Sequence, residues 1–504
     1  MTAASTFPAR ADAAAWLAVA AGTIGALMAM LDTSIVNASL PTIQGEIGAS
    51  GAEGTWISTA YLVAEIVMIP MAGWLDRIFG LRIFLFAMAG LFTLFSIQCG
   101  LSHDLSGMIM GRIGQGFTGG AMIPTALSIV ATRLPPHQQP LGIALFGMTA
   151  VMGPVAGPVL GGWLTENVSW RYAFFINVPV GAGLLLLLYL GLKGRAVRWS
   201  QLAEADIPGI LGLVLGLGGL TTLLEEGQRE RWFESDFIRL LAAVSVLGFA
   251  LLALGQKWSK RPVIDLSILR GRAFAAVFGL SLMMGAALYG ILYIVPQFLA
   301  LIAGYNAAQA GQVTMLSGIP TLILLAAFPV LVRVVDVRLA VGGGLLLYAV
   351  SCFMDVGLTS ATGGAQFTSS QLVRGVAQFF LMLFLNQAAT STVAIEFAED
   401  ASGLFNAARN LGGSIGIALV GALQEDRSRF HAVRLFEGIS ANSLAGQHVA
   451  HQFGLENLAR LIEGQGAVMA YADLYFLIGV SLVVAAPLAL LLKPLPKGAA
   501  LSVH

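Results

Sequence analysis

The feature that most constrains this chain is the recurrence of apolar runs along its whole length. The runs are roughly 18 to 25 residues long, and a helix needs about 20 apolar residues to cross a bilayer. The chain has 504 residues, of which 57% are hydrophobic and 11% charged, and its mean hydropathy is +0.82. Soluble domains carry about 25% charged residues. The sequence therefore predicts an all-α membrane protein embedded in a lipid bilayer.

The apolar runs are bounded by charged residues, Gly or Pro, and they predict about fourteen membrane spans. An even number of spans places both termini on the same side of the membrane. The loops on that side are rich in Lys and Arg, for example Lys193, Arg195 and Arg198. The positive-inside rule assigns this side to the cytoplasm. We expect a multi-pass protein of a bacterial inner (cytoplasmic) membrane with both termini cytoplasmic.

An internal repeat indicates two six-helix bundles. Arg112 lies near the middle of span four, and Arg374 lies at a similar depth in span twelve. Repeats of this kind are typical of secondary transporters. We predict an N-terminal bundle over residues 1–200, two inserted transmembrane helices over 201–262 and a C-terminal bundle over 263–504. A long polar loop is expected on the outer side at about 425–470, and its first part, Gln424 to Glu437, has the periodicity of an amphipathic helix.

Several classes of function are disfavoured by the composition. The formal net charge is zero and no run of basic residues occurs, so nothing indicates nucleic-acid binding. No phosphate loop ending in Gly-Lys-Ser/Thr is present, so transport would draw on an ion gradient rather than on ATP. His448 and His451 have helical metal-ligand spacing but no evident third ligand, so no metal or cofactor is expected. A membrane enzyme, a channel and an importer remain alternatives.

Charged side chains inside the spans are the first candidates for function, because a charge at the bilayer centre costs several kcal/mol. We predict that Asp32 carries a proton, with Arg112 as its electrostatic partner and Glu65 as a second titrating site. The proton affinity of a carboxylate depends on how close a positive partner lies, so a moving pair can take up and release protons. Two structural alternatives stay open: a helix-to-helix hydrogen bond for Asp32, and an ion pair with an arginine for Glu65.

A substrate cavity would be lined from both bundles by aromatic, methionine and amide side chains, which offer adaptable contacts to varied guests. The candidates by residue type are Asn37, Tyr61, Met148, Tyr289, Tyr293, Gln297, Phe384, Asn386 and Gln387. Periodicity does not separate a cavity face from a lipid face. Packing or lipid contact therefore remains an alternative for each of them.

Ordered local motifs in both halves of the chain carry a family resemblance. They are Leu31 to Asn37 with Leu40 and Pro41 in span one; Gly73, Leu75, Gly80 and Arg82 after span two; Arg112, Gln115, Gly116, Gly120, Ile123 and Pro124 in span four; Gly153, Pro154, Gly157, Pro158, Gly161 and Gly162 in span five; Trp170 to Gly181 before span six; and Phe405, Asn406 and Arg409 to Gly416 in span thirteen. With these motifs the chain resembles the fourteen-span drug:proton antiporter family (EmrB/QacA-like) of the major facilitator superfamily. The long outer loop favours its EmrB-like branch.

The resemblance implies a major facilitator fold, with two six-helix bundles plus two additional transmembrane helices. It implies a proton-coupled exporter of amphipathic or hydrophobic small molecules, of the multidrug-efflux type, that works by alternating access. Its motifs imply gating roles for Gly73, Asp76, Arg77, Gly80, Arg82, Gly153, Pro154, Gly157, Pro158, Gly161, Gly162, Arg374 and Arg409. The loop motif departs from the family, because Arg77 stands where members commonly have Asp, and Asp76 comes one place early.

The glycines of span five recur every four residues, so they share one helix face on which another helix can pack closely. Pro154 and Pro158 predict a bend in the same helix.

The EmrB-like resemblance also implies partners. A periplasmic membrane-fusion adaptor and an outer-membrane channel would carry the small-molecule substrate onward, and the long outer loop would help the adaptor to dock. The proton gradient would supply the energy, without a cofactor. Other functions stay open, namely export of one specific metabolite or siderophore, import, or enzymatic activity in the membrane.

Overall fold

A computed structural model describes residues 10–200, 205–259, 262–438 and 455–494, and over these residues the regular structure is helical. We number the long helices in chain order. The first six are α1 (Ala13–Ile47), α2 (Trp56–Phe79), α3 (Leu81–Leu101), α4 (Leu105–Arg133), α5 (Gln139–Asn167) and α6 (Asn177–Gly191). A short helix, Tyr172–Phe175, precedes α6.

The remaining helices belong to the insertion and the C-terminal half. They are α7 (Ile207–Glu226), α8 (Asp236–Trp258), α9 (Arg272–Leu301), the segmented α10 (α10a Ala307–Met315, α10b Gly318–Leu325 and α10c Phe328–Val334), α11 (Val337–Met354), α12 (Phe367–Ser391), α13 (Ala398–Gly438) and α14 (Leu455–Ala485). A turn of 3-10 helix, Ala486–Leu491, continues α14.

Within the described residues, 11 helices are long and apolar enough to cross a membrane, and 12 if the bent α5 counts as one span. Neither α4 nor α13 is among them, and in α4 the reason is visible. Its residues are buried along most of its length, so it can carry glycine and polar side chains without presenting them to lipid. The predicted count of fourteen spans stays a prediction.

The helices form two bundles with the inserted pair beside them. In the first bundle α1 packs against α4, α5 and α6, and α2 packs against α4; in the second, α9 packs against α13, and α14 against α11 and α13. The bundles meet where α2 and α4 contact α13, and where α5 contacts α10 and α12. The inserted helices α7 and α8 pack on each other, and α7 also contacts both α2 and α13.

Glycines permit the close helix contacts of the first bundle. A Cβ atom at Gly157 would lie 2.2 Å from the Cβ atom of Ser34 in α1, and one at Gly161 would lie 2.7 Å from the carbonyl oxygen of Ile35. The predicted glycine face of α5 therefore packs on α1, although Gly162 has no neighbour within 4 Å. The bend predicted for α5 is present as a change of direction of 43° after Gly153.

The segment predicted as an outer loop at about 425–470 is helical where the structure describes it. Residues 425–438 continue α13, residues 455–470 belong to α14, and residues 439–454 lie outside the described part of the chain. The expected amphipathic helix is thus an extension of α13. With 41 residues, α13 is about 60 Å long, whereas the hydrocarbon core of a bilayer is about 30 Å thick.

Polar contacts hold the extended ends of α13 and α14 together as an antiparallel pair, here called the outer hairpin (421–438 and 455–473). Arg427 and His431 both contact Asp473, the His431 Nε2 atom at 2.7 Å. Gln424 donates to the hydroxyl of Tyr471 at 2.8 Å. In the sequence Asp473 stands at the start of the last apolar run, which predicts a helix N-cap; this prediction is wrong, since Asp473 lies inside α14 and pairs with α13.

Candidate functional site

The first bundle contains a buried ion pair between α1 and α4. The side chains of Asp32 and Arg112 are fully buried, with an N–O distance of 2.5 Å. Two amides complete the site, since Gln115 donates to Asp32 at 2.9 Å and Asn177 of α6 donates at 2.7 Å. The two residues predicted to act together are thus in contact, and the charge of Asp32 is matched by three donors.

Arg112 also connects this ion pair to α2. Its Nε atom donates to the carbonyl oxygen of Ile57 at 3.1 Å, and its guanidinium lies 4.1 Å from the ring centroid of Tyr61. Its Nη2 atom is buried and has no hydrogen-bond partner among the described residues. An unpaired buried donor is costly, so the guanidinium has a reason to exchange partners when the charge of Asp32 changes.

A second charged pair faces across the two bundles. Glu65 of α2 is buried, and within the described residues its carboxylate accepts no hydrogen bond. Arg409 of α13 and Arg112 are the positive charges near it. The Nε atom of Arg409 is buried without a partner in the described part of the chain. Glu65 and Arg409 therefore attract each other across the interface without being locked by a hydrogen bond.

Direct polar contacts join the bundles at the predicted cytoplasmic side. Arg77 donates to both oxygens of Asp400, each at 3.1 Å. Ser402 of α13 donates to the carbonyl oxygen of Pro124 at 2.7 Å, and Arg333 donates to that of His137 at 3.3 Å. This side of the interface is closed.

The loop motif after α2 lies at this closed side. A Cβ atom at Gly73 would lie 2.9 Å from that of Glu399, and Gly80 has a φ of 79°, which favours glycine. Asp76 is buried, and its carboxyl group lies near that of Glu399. Arg82 lies 4.9 Å from the ring centroid of Tyr189. Arg77, the residue that departs from the family pattern, thus reaches Asp400 of the other bundle, and the neighbouring Asp76 faces Glu399.

The second bundle holds its own buried ion pair. Arg374 of α12 donates to Asp355 at 2.7 Å, and both side chains are buried. In the sequence Asp355 and Glu226 lie near the outer ends of apolar runs, a position that predicts solvated carboxylates, but the structure shows that both are buried. Glu226 is buried as well, because Arg229 pairs with its carboxylate and Thr59 donates to it.

An open cavity of about 530 Å³ lies at the predicted outer side, which is within the usual size of small-molecule pockets. Its lining comes from α9, α13, α14 and the turn after α7, and it includes Gln228, Tyr293, Gln297, Gln424, Glu425, Ser428, Arg429 and Glu463. Two of the predicted substrate residues, Tyr293 and Gln297, therefore line the same cavity.

The other substrate candidates lie apart from this cavity. Asn37 accepts from Ser58 on the surface, and Tyr61 is buried within the first bundle. Phe384 packs between Phe328 and Phe380. Met148 is partly exposed on α5.

Three further candidates belong to the second bundle, where Tyr289 is partly buried and Asn386 and Gln387 are buried. A Cβ atom at Gly413 would lie 2.7 Å from the ring of Tyr289, so that ring packs on α13. Asn386 and Gln387 lie inside α12, and their side-chain carbonyl oxygens are buried without a partner in the described residues. Unpaired acceptors of this kind can serve water or a guest molecule that carries donors.

Sequence reasoning did not assign roles to several residues that complete these sites. Asn177 belongs to the motif at the start of α6, but nothing in the sequence indicates its contact with Asp32. Asp400 and Ser402 lie at the start of α13, where no local pattern indicates contact with α2 and α4. The only available signal was the position of Asp400 near the predicted cytoplasmic side, opposite the unusual Arg77.

Two helical bundles that hold buried ion pairs between side chains and meet at one closed side are typical of membrane transporters. The chain belongs to the Major Facilitator Superfamily, whose sequence model matches residues 22–417. The predicted family and fold are confirmed.

Individual proteins support this assignment. The chain is 30% identical to the colistin resistance protein EmrB of Acinetobacter baumannii, over 95% of this chain and 96% of that protein. It is 31% identical to the multidrug export protein EmrB of Haemophilus influenzae, over 94% and 95% of the two chains. The crystal structure of the human organic anion transporter MFSD10 has the same fold, with a TM-score of 0.60, 15% identity and coverage of 93% of this chain and 99% of that one.

Proposed function

We propose that this chain is a proton-coupled exporter of amphipathic or hydrophobic small molecules, of the multidrug-efflux type, that works by alternating access. The similarity to the multidrug export protein EmrB of Haemophilus influenzae supports the cargo class. The observation that carries the proposal is the buried contact between Asp32 and Arg112, since a buried charge is retained at a cost and is therefore a functional candidate. The energy would come from the proton gradient, without a cofactor.

The contacts of Arg112 suggest how a proton could move the bundles. Protonation of Asp32 removes the negative charge that holds one side of the guanidinium, while Ile57 of α2 holds the other. Helix α2 also carries Glu65 and Arg77, which face Arg409 and Asp400 on α13. A change at Asp32 can thus reach both contacts between α2 and α13 through one helix.

The cargo route follows from the same geometry. The interface is closed at the predicted cytoplasmic side, and the cavity with Tyr293 and Gln297 is open at the predicted outer side. Helix α5, with its bend and glycine face on α1, would be the rocking surface that the exporter motif implies. The state described here would release cargo outward and accept protons from the same side.

The test of coupling is the substitution Asp32→Asn. It should abolish uphill efflux driven by a pH gradient in proteoliposomes, because the amide cannot take up a proton. Asp355→Asn is a matched control, since it removes a carboxylate from the other buried ion pair, and it should leave gradient-driven efflux measurable. Full activity of the Asp32→Asn protein would remove Asp32 from the mechanism.

The proposal includes location and partners. We infer an inner-membrane protein with cytoplasmic termini, a periplasmic membrane-fusion adaptor that docks on the outer hairpin, and an outer-membrane channel beyond it. The support is the resemblance to EmrB proteins and the length of α13, which exceeds the bilayer thickness about twofold. A deletion strain tested against hydrophobic acids, phenolics, dyes and antibiotics would identify the cargo, and sensitivity to a single compound would favour a dedicated metabolite exporter.

A further inference from the structure

The inserted helix α7 occupies a gap between the two bundles. Toward the predicted cytoplasmic side α2 and α13 touch directly, since a Cβ atom at Gly403 would lie 3.2 Å from the carbonyl oxygen of Ile69. Toward the predicted outer side both helices also contact α7. A Cβ atom at Gly218 would lie 3.5 Å from Val67 of α2, while Glu225 accepts from Ser414 of α13 at 2.9 Å. Helix α7 thus bridges α2 and α13 toward the predicted outer side.

The attachment of α7 to the first bundle includes a buried charge network. The carboxylate of Glu226 accepts from Thr59 of α2 at 3.1 Å and pairs with Arg229 at 2.5 Å. Arg229 in turn donates to Thr55 at 3.0 Å, at the start of α2. Charge-assisted hydrogen bonds are stronger than neutral ones. The end of α7 is therefore bound firmly to α2.

The attachment of α7 to the second bundle uses neutral donors. Ser414 donates to Glu225, and Gln228 donates to the carbonyl oxygen of Gly421 at 3.2 Å. Glu225 and Gln228 belong to the end of α7 and the turn after it, and their partners Ser414 and Gly421 lie further outward along α13 than Gly403. The packing of α7 on α13 is also less extensive than its packing on α2.

We propose that α7 moves with the N-terminal bundle as a seal of the outer gap, and that Glu225 and Gln228 are positioning residues that hold α7 on α13 only while the outer side is open. This inference rests on the alternating-access cycle proposed above. When the outer side closes, the outer ends of α2 and α13 approach each other, and the space that α7 occupies is reduced. The contacts with α13 must then break, while the charged contacts with α2 persist.

Cysteine cross-linking can separate the two attachments of α7. In a background with Cys99→Ser and Cys352→Ser, one variant carries Glu225→Cys with Ser414→Cys. A matched control at the same depth carries Thr59→Cys with Glu226→Cys. Each pair is joined by oxidation or by a short bifunctional thiol reagent.

A reporter placed at the closed side reads the conformation without any cargo. Ser402→Cys suits this role, because Ser402 is buried and bonded to Pro124 across the interface. Alkylation of this cysteine requires the predicted cytoplasmic side to open, and its rate is measured after each cross-link.

The expected result is asymmetric. The link between 225 and 414 should lower the alkylation rate at residue 402 at least tenfold, and reduction should restore it. The link between 59 and 226 should leave the rate within twofold of the unlinked protein. Equal effects of the two links, or protection by the control link alone, would overturn the proposal.

Single substitutions provide a second measurement that does not depend on the cysteine pairs. Ser414→Ala should raise the alkylation rate at residue 402 several-fold, since the state that is open outward loses a hydrogen bond, whereas Ser414→Thr keeps the hydroxyl and should not. An unchanged rate in Ser414→Ala would contradict the role of Glu225. If the alkylation pattern holds but no drug efflux is found, the exporter function fails and the sealing role of α7 stands.

Discussion

Arg112 bonds to α1 and α2 at once, and this double contact makes it sensitive to the charge of Asp32. Removing one partner of a buried ion pair costs about 3–5 kcal/mol, because the other charge is left unpaired. Arg112→Ala should therefore lower the free energy of unfolding by about that amount. In the double variant with Asp32→Asn, the added loss from Arg112→Ala should be much smaller.

The measurement is a double-mutant cycle of thermal stability in detergent, which isolates the pairwise energy. Arg112→Lys serves as a charge-conserving control. A single ammonium cannot reproduce the fork geometry that contacts Asp32 and Ile57 together, so this variant should stay folded but lose proton-driven efflux. Strictly additive losses in the cycle would mean that the two side chains do not depend on each other.

The buried charged residues of the first bundle show where prediction from sequence succeeds. Asp32 and Arg112 were paired from their depth in apolar spans, and the structure places them in contact. Their amide partner Asn177 was missed as a partner because it comes from α6, and only the packing of α1, α4 and α6 brings it close. The burial of Asp355 could not be predicted for the same reason, since Arg374, its ion-pair partner, lies on a neighbouring helix.

The contact between α2 and α13 should respond to a charge swap. Arg77→Asp should speed alkylation of Ser402→Cys by up to about fivefold, because partly exposed ion pairs contribute about 0–1 kcal/mol. Combining Arg77→Asp with Asp400→Arg should restore the slow alkylation rate, since the two side chains again carry opposite charges. A double variant as reactive as the single one would show that the ion pair does not hold this side closed.

The packing of α5 on α1 allows a second test with a matched control. Gly157→Val should destabilise the protein and abolish efflux, because even a Cβ atom there would lie 2.2 Å from that of Ser34. Overpacking of this kind costs about 1–3 kcal/mol or more. Gly162→Val, at a position with no neighbour within 4 Å, should be tolerated. Thermal stability and efflux of the two variants are compared, and equal damage would argue against a special role for this face.

The apolar runs in the sequence predicted the positions of most helices, but they did not predict where α13 ends and α14 begins. Charged residues normally indicate a loop between spans, and residues 425–470 are rich in them. Here Arg427 and His431 find their partner Asp473 on the next helix, so the charges stabilise a helix pair. That pairing depends on two segments more than 40 residues apart, which a local pattern cannot show.

For the whole molecule, the outer hairpin should determine assembly rather than transport. Replacing residues 434–460 by a short flexible linker, which leaves the cavity lining in place, should abolish co-purification of a periplasmic adaptor, because the surface beyond the bilayer is removed. Efflux from proteoliposomes, where no adaptor is present, should remain within about threefold, since the central ion pairs are untouched. Unchanged co-purification would count against the docking role.

Helix α13 is one continuous element from Asp400 at the closed interface to the outer hairpin. An unbroken helix is stiff over this length, so a tilt at one end moves the other end. A tilt of about 10° at its base would displace a point about 45 Å further along by about 8 Å. A partner protein bound to the outer end of α13 would therefore be displaced once in each transport cycle. It could open when cargo arrives, without a separate chemical signal.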